Sequence, residues 1–334
     1  MSKSQQKLDG ISIIRTVATI AIMLYHIGFG HYYLKQVNFS FSVHVFFCIS
    51  AFLIMYTTEH KTAASFLKRR LIRILPLYLL LTVFTFFASK FLSGFGQDNI
   101  GVPELIKSLL FIPYSRSGLK SDLAVRPIVG PGWTLYYDVW FAFAFAISMK
   151  IKHKYRGIIA ACICVVLYLV GIFLPEEVPV AVLLNNGFIL SFAAGIVVYY
   201  VWRGFLQQKT TSVPLIWGMA AVLLLGCLYL LPRNILLQIL VSSFILICTL
   251  ISTAQKSIPK GFTQFSNLSY SFYLLHYYVI LVVGKMIDFT QFNGKVILGT
   301  VIVFCVTLLI SFCSYILIEK KLGNLLNRFC KASL

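Results

Sequence analysis

The chain has 334 residues, 59% of them hydrophobic and only 12% charged, with a mean hydropathy of +0.87. That apolar content exceeds what the core of a water-soluble domain of this length takes up, so a soluble globular protein is excluded. The net charge of +19 would suit a nucleic-acid binder. The Lys and Arg residues, however, gather in alternate short loops, the distribution that sets membrane topology and meets anionic lipid, so no nucleic-acid partner is expected.

Apolar runs of about 18 residues or more read as membrane spans. Ten are expected, at about 11–31, 39–58, 74–94, 132–149, 157–174, 184–202, 213–231, 235–254, 266–287 and 296–318. The fold class is therefore an all-α integral membrane protein forming one domain over 1–334, with both termini on the cytoplasmic, Lys/Arg-rich side. The first span lacks a small-residue cleavage site and is followed by further spans, so it is not expected to be removed as a signal. The eight cysteines fall mostly within spans, and no Cys/His cluster has metal-ligand spacing. No disulfide, metal or bound cofactor is expected.

The first span carries two ionisable residues, Arg15 and His26. Such groups are costly in a bilayer and point to function. Eleven positions at roughly 100° each return to nearly the same face, and at ~1.5 Å per residue the two lie about 16 Å apart along the axis. They form a stripe and not an ion pair, as groups along a buried path would. The second span, FSFSVHVFFCISAFLIMYTT, contributes His44 and Ser50. Ser50 reads either as a small helix-packing residue beside Ala51 or as a site residue, and His44 as an interfacial or a substrate-contacting histidine.

Before the third span, Lys68, Arg69, Arg70 and Arg73 form a dense basic cluster. Arg70 and Arg73 are three apart and share a helix face. Guanidinium groups grip phosphate with a planar fork, so these arginines read as phosphate-binding as well as topological. The stretch 97–131 is the longest without a span and includes the amphipathic piece VPELIKSLLFIPY, too short to cross. Its Tyr114, Arg116, Lys120 and Arg126 suit either a glycan or a solvated cap.

The fourth span begins PIVGPGWTLYYDVWF. Asp138 lies roughly 9–10 Å inside it at ~1.5 Å per residue, a depth comparable with that of His26. A lone carboxylate there needs a partner. It is either His26, giving a base with an orienting acid, or a structural partner such as Arg126 or a tyrosine hydroxyl. Trp133, Tyr136, Tyr137 and Trp140 form an aromatic belt by default, and Trp133 also offers a face for a sugar. Spans five to eight read as scaffold. The ninth carries His276 among tyrosines, as a structural or substrate-contacting residue. The tenth is plain, and the tail EKKLGNLLNRFCKASL reads as a basic amphipathic segment on the inner leaflet.

Several stretches in sequence order resemble the membrane-bound acyltransferase type 3 family, in its surface-glycan-modifying branch. ISIIRTVATIAIMLYH is similar to the family's Arg–ten residues–His helix. SVHVFFCISAFLIM, FLKRRLIRILPLY, SLLFIPY with RPIVGPGWTLYYDVWF, and SYSFYLLH resemble its second, third, fourth and late helices. Departures fall at His44 (often Asp), Ala51 (Gly), Thr16 (Gly) and Asp138 (Glu).

The resemblance implies a stand-alone bacterial plasma-membrane enzyme. It would move an acetyl or succinyl group from acyl-CoA, as co-substrate, to a hydroxyl of a cell-surface or exported polysaccharide. His26, Asp138 and Arg15 would be catalytic, and Arg69, Arg70 and Arg73 would hold the donor. Trp133, Tyr137, His44, His276 and Ser50 would contact the acceptor. A transporter or flippase for a lipid-linked saccharide is the main competing reading, and an acyl-CoA-gated sensor a weaker one. Neither a flippase nor a transporter needs the inner arginine cluster with the Arg–His stripe.

Overall fold

The computed structural model describes residues 9–28, 41–91, 100–115, 125–175, 177–206, 218, 234–253, 258–290 and 294–332. Most of those residues are helical, with no strand among them. The helices are α1 (Asp9–Ile27), α2 (Ser42–Thr57), α3 (Ala63–Phe91), α4 (Val102–Leu109), α5 (Trp133–Lys152) and α6 (Arg156–Phe173). They continue with α7 (Pro179–Asn185), α8 (Leu190–Val201), α9 (Ile235–Ser252), α10 (Lys260–Val283), α11 (Gly294–Ser314) and α12 (Gly323–Ala332). Wide-turn π segments follow α8, at Trp202–Leu206, and α11, at Tyr315–Leu322.

Among the described residues, six helical stretches are long and apolar enough to cross a membrane. One of them, Gly130–Phe173, contains two expected spans: α5 and α6 fold back on each other about the turn His153–Tyr155, where Lys152 is extended. The helix Ser42–Thr57 is apolar but shorter. The expected span 213–231, apart from residue 218, and Arg116 and Lys120 lie outside the described residues. Large apolar side chains such as Leu80, Phe84 and Phe87 are half exposed along one side of α3. An aqueous surface would penalise that face, and a lipid-facing one does not.

The largest departure from expectation is α3. Its 29 residues begin at Ala63, eleven before the expected start at 74, and run unbroken through Pro76. Hydropathy reports where a helix is apolar, not where it is helical. Lys and Arg are good helix formers, so the basic stretch belongs to the helix. At ~1.5 Å per residue α3 is about 44 Å long, against a hydrocarbon thickness of ~30 Å.

Among the described residues the two larger packing groups meet at the site. A large core joins α2, α3, α5, α8 and α9, and a smaller one joins α1, α10 and α11. The α2–α8 crossing is close because Gly195 has no side chain: a Cβ there would run into the backbone carbonyl of Cys48. The short helix α4 and the buried stretch 125–132 cover the start of α5. Tyr78 donates to the Ser108 carbonyl (2.9 Å), the Ile128 amide donates to Ser108 Oγ (3.1 Å), and Phe111 packs on Tyr78 in the left-handed backbone region at φ 56°. The start of α5 therefore lies beneath a cover made by α4 and residues 125–132.

Candidate active site

A cavity of about 340 Å³ lies between α1, α2, α3, α5 and α10, within the size range of small-molecule sites. At one end it is lined by Lys61, Arg69 and Arg73, and both of these arginines are exposed. Its walls are largely apolar, with Ile22, Phe46, Phe47 and Leu53 among them. At the far end stand Thr134 and Tyr273, whose hydroxyls are 2.9 Å apart, and Tyr273 also donates to the Pro131 carbonyl at 2.9 Å.

Arg70, two turns into α3, turns inward. One of its Nη atoms donates to Asp138 Oδ1 at 2.6 Å and to Ser50 Oγ at 2.5 Å, and Ser50 donates to the same carboxylate oxygen at 3.2 Å. Asp138 thus pairs with Arg70 and Ser50 and not with His26, Arg126 or a tyrosine. Counting residues along α5 could not reveal these partners, which lie on α3 and α2. Arg70 Nε is buried without a hydrogen-bond partner, so the guanidinium has a donor in reserve at the cavity wall.

Arg15 lines the cavity from α1, as does Ile22 on the same stripe. It donates to Ser269 Oγ of α10 at 2.8 Å. Glu319, carried on the π segment after α11, accepts a 2.5 Å hydrogen bond from Ser271 of α10 and is close enough to act electrostatically on both Arg73 and Arg15. Sequence reasoning left Glu319 in a surface tail because the expected last span stopped one residue short of it. A carboxylate at the end of an otherwise apolar span was the signal.

His26 is half-buried one helical turn beyond Ile22 and does not line the cavity. Its walls are aromatic: the rings of His276, Tyr25 and Tyr277 have centroids 5.1, 5.3 and 6.1 Å away. Arg126 acts on it electrostatically. His276 is buried, with Nδ1 at 3.1 Å from the Phe272 carbonyl and Nε2 without a hydrogen-bond partner. Tyr273, whose ring centroid is 5.9 Å from that of His276, links the cavity end to the imidazole pair.

The expected acceptor residues divide. Ser50 lines the cavity and His276 adjoins its end. Trp133, Tyr137 and His44 line no part of it. Tyr137 is buried and donates to the Leu183 carbonyl (2.5 Å) and Asn186 Oδ1 (2.8 Å), tying α5 to the α7 region. Trp133 packs on Tyr137 and Phe188. His44 is buried in the α2–α8–α9 contact, 2.8 Å from Ser191 Oγ and stacked on Phe188. These three side chains are engaged in contacts between helices, where a satisfied polar tip makes burial tolerable.

The arrangement joins a cationic mouth, a narrow apolar channel and an imidazole pair just past its end. Residues 8–316 match the family described as the acyltransferase domain, Acyl_transf_3. The chain belongs to the acyltransferase 3 family. No curated protein and no solved structure matches it. Family membership decides the class between the readings left open by sequence: this acyltransferase is an enzyme, and its apolar helices make it a multi-pass membrane protein.

Proposed function

We propose that this acyltransferase moves an acetyl or succinyl group from acyl-CoA to a hydroxyl of a cell-surface or exported polysaccharide. In this reading it sits in a bacterial plasma membrane with ten spans and both termini in the cytoplasm. The observation that supports it most is the cavity: it opens at Lys61, Arg69 and Arg73 and ends one turn from His26. The polyanionic nucleotide of CoA suits the mouth. The slim pantetheine arm suits the channel past Arg15 and Arg70, and brings the thioester toward Tyr273.

The acceptor hydroxyl gives its proton to His26 as its oxygen bonds to the acyl carbon. The carbon–sulfur bond then breaks, and the CoA thiolate leaves and takes up the proton held by the imidazolium. An imidazole suits this at neutral pH, since its ordinary pKa is near 6.5. His276, in contact with the His26 ring, positions it. Asp138 acts one step back, holding Arg70 against the channel. The test is purified protein in lipid nanodiscs with acetyl-CoA and isolated glycan, read by CoA release and by mass spectrometry of the glycan. Acceptor-dependent CoA release that is lost in His26→Ala is expected. Near wild-type acylation by His26→Ala would overturn the assignment.

A further inference from the structure

A second cleft, about 510 Å³, lies on the other side of the turn that ends α2, away from the acyltransferase cavity. Met55 comes from α2 and Glu59 and His60 from the turn after it, Lys154 from the turn His153–Tyr155 and Arg156 from the start of α6, Tyr199 and Tyr200 from the end of α8 and Arg203 from the π segment that follows. Three permanent cations face one carboxylate.

That carboxylate is already in use. Arg203 donates to Glu59 at 2.5 Å and to the Tyr199 hydroxyl at 2.7 Å, and the pairing holds the Glu59 carboxyl below its usual range. Arg156 is 94% buried by its relative exposure of 6%. Its guanidinium reaches only backbone carbonyls, those of His153 (3.1 Å) and Met55 (3.2 Å), and its Nε has no hydrogen-bond partner. Among the described residues no carboxylate forms an ion pair with Arg156 or with Lys154. Glu59 acts on Arg156 electrostatically but is hydrogen-bonded to Arg203, and a buried guanidinium with no hydrogen-bonded counter-ion is stabilised when a further anion approaches it.

The surroundings say what kind of anion. Val197 and Phe205, beside the cleft on α8 and its π turn, are 56% and 69% exposed, and Ile158 of α6 is 53% exposed. Tyr200 lines the cleft and is itself partly exposed. An anion with acyl chains could lay them on that apolar surface while its head enters the cleft, which a small soluble anion would leave uncovered.

We propose that this cleft binds the phosphodiester headgroup of an anionic phospholipid. Lys154 and Arg203 contact the phosphate, and the buried charge of Arg156 supplies long-range attraction from behind. Basic pockets between membrane helices bind such headgroups through these forces. The site is separate from the donor mouth and does not depend on which acyl group or acceptor the enzyme uses.

The experiment uses the full chain, delipidated in detergent and placed in phosphatidylcholine nanodiscs containing phosphatidylglycerol. Retained lipid is counted by native mass spectrometry. Retention of phosphatidylglycerol over phosphatidylcholine is expected to fall about fivefold for each cation removed in Lys154→Ala, Arg203→Ala and the double variant. Glu59→Gln should raise it, because the competing carboxylate is gone. Lys154 is exposed, so its variant folds even where loss of Arg203 does not, and with Glu59→Gln it decides the matter. Equal retention by parent and Lys154→Ala, or no gain in Glu59→Gln, overturns the proposal. Displacement of the lipid by millimolar inorganic phosphate assigns the cleft to a soluble phosphate and overturns it too.

Discussion

Asp138 of α5 and Arg70 of α3 meet at 2.6 Å, with Ser50 of α2 bonded to both. This one node ties three helices together at the wall of the acyltransferase cavity. The two side chains are about one-fifth exposed, between the regimes of a surface pair and a fully buried one. Asp138→Asn leaves the Arg70 charge without its partner and should cost about 1–3 kcal/mol of stability. In Arg70→Ala the unpaired carboxylate costs a similar amount. The double variant Arg70→Ala with Asp138→Ala should lose less than the sum of the single losses, as measured by unfolding in detergent. Strict additivity would mean that the pair carries no coupling.

The imidazole pair gives a sharper test of chemistry. His26→Ala removes the proposed base, and a positioned base contributes about 10²–10⁴ in rate. His276→Asn keeps a polar group against the Phe272 carbonyl but removes the ring that touches His26. Its expected effect is a smaller loss of kcat together with a shift in the pH–rate profile, read by CoA release across pH 5 to 9. A His276→Asn enzyme with the parental pH profile would leave His276 as a packing residue only.

Most of the helices were legible in the sequence because a bilayer forces long apolar runs. The ends of α2, α5, α6 and α9 fall within three residues of expectation. The stripe of Arg15 and His26 was legible because helix periodicity alone places them on one face. What was not legible depends on contacts between segments distant in sequence. Asp138 lies 68 positions from Arg70, and no local pattern distinguishes that partner from His26. The start of α3 was hidden because its first turns are charged. His44 and Tyr137 carry the same polar atoms whether they meet a substrate or, as here, Ser191 and the Leu183 carbonyl.

Glu319 is the residue whose role the fold added. It is bonded to Ser271 and acts electrostatically on Arg15 and Arg73. Glu319→Gln keeps a hydrogen-bonding partner for Ser271 but removes the negative charge that acts on the two arginines. Donor binding should not weaken, since the mouth becomes more positive. The rate should fall about tenfold, equivalent to ~1.4 kcal/mol, as the Arg15 charge loses its balancing carboxylate. Steady-state kinetics separates the two: a raised KM with unchanged kcat would contradict this role.

The mouth arginines predict a salt effect. Arg69 and Arg73 are exposed at the open end of the cavity, where the Debye length is ~8 Å at physiological ionic strength. The KM for acetyl-CoA should rise with added potassium chloride in the parent enzyme. It should start higher and rise less steeply in Arg69→Ala with Arg73→Ala, because fewer charges remain to be screened. A slope unchanged by the double substitution would reduce these residues to a topology signal.

Packing offers a test independent of catalysis. At Gly195 the backbones of α8 and α2 approach so closely that a Cβ would collide with the carbonyl of Cys48. Backbone cannot rotate away as a side-chain tip can, so the helices would have to part. Small residues at such crossings let membrane helices pack through dispersion forces. Gly195→Val should therefore cost at least the ~1–3 kcal/mol typical of overpacking. The unfolding midpoint should drop and the yield of folded protein should fall. Gly204→Ala, on the neighbouring π turn, where an added Cβ meets nothing within 4 Å, is the matched control and should leave both unchanged. Equal stability of the Gly195 and Gly204 variants would mean that α2 and α8 are not in the contact described.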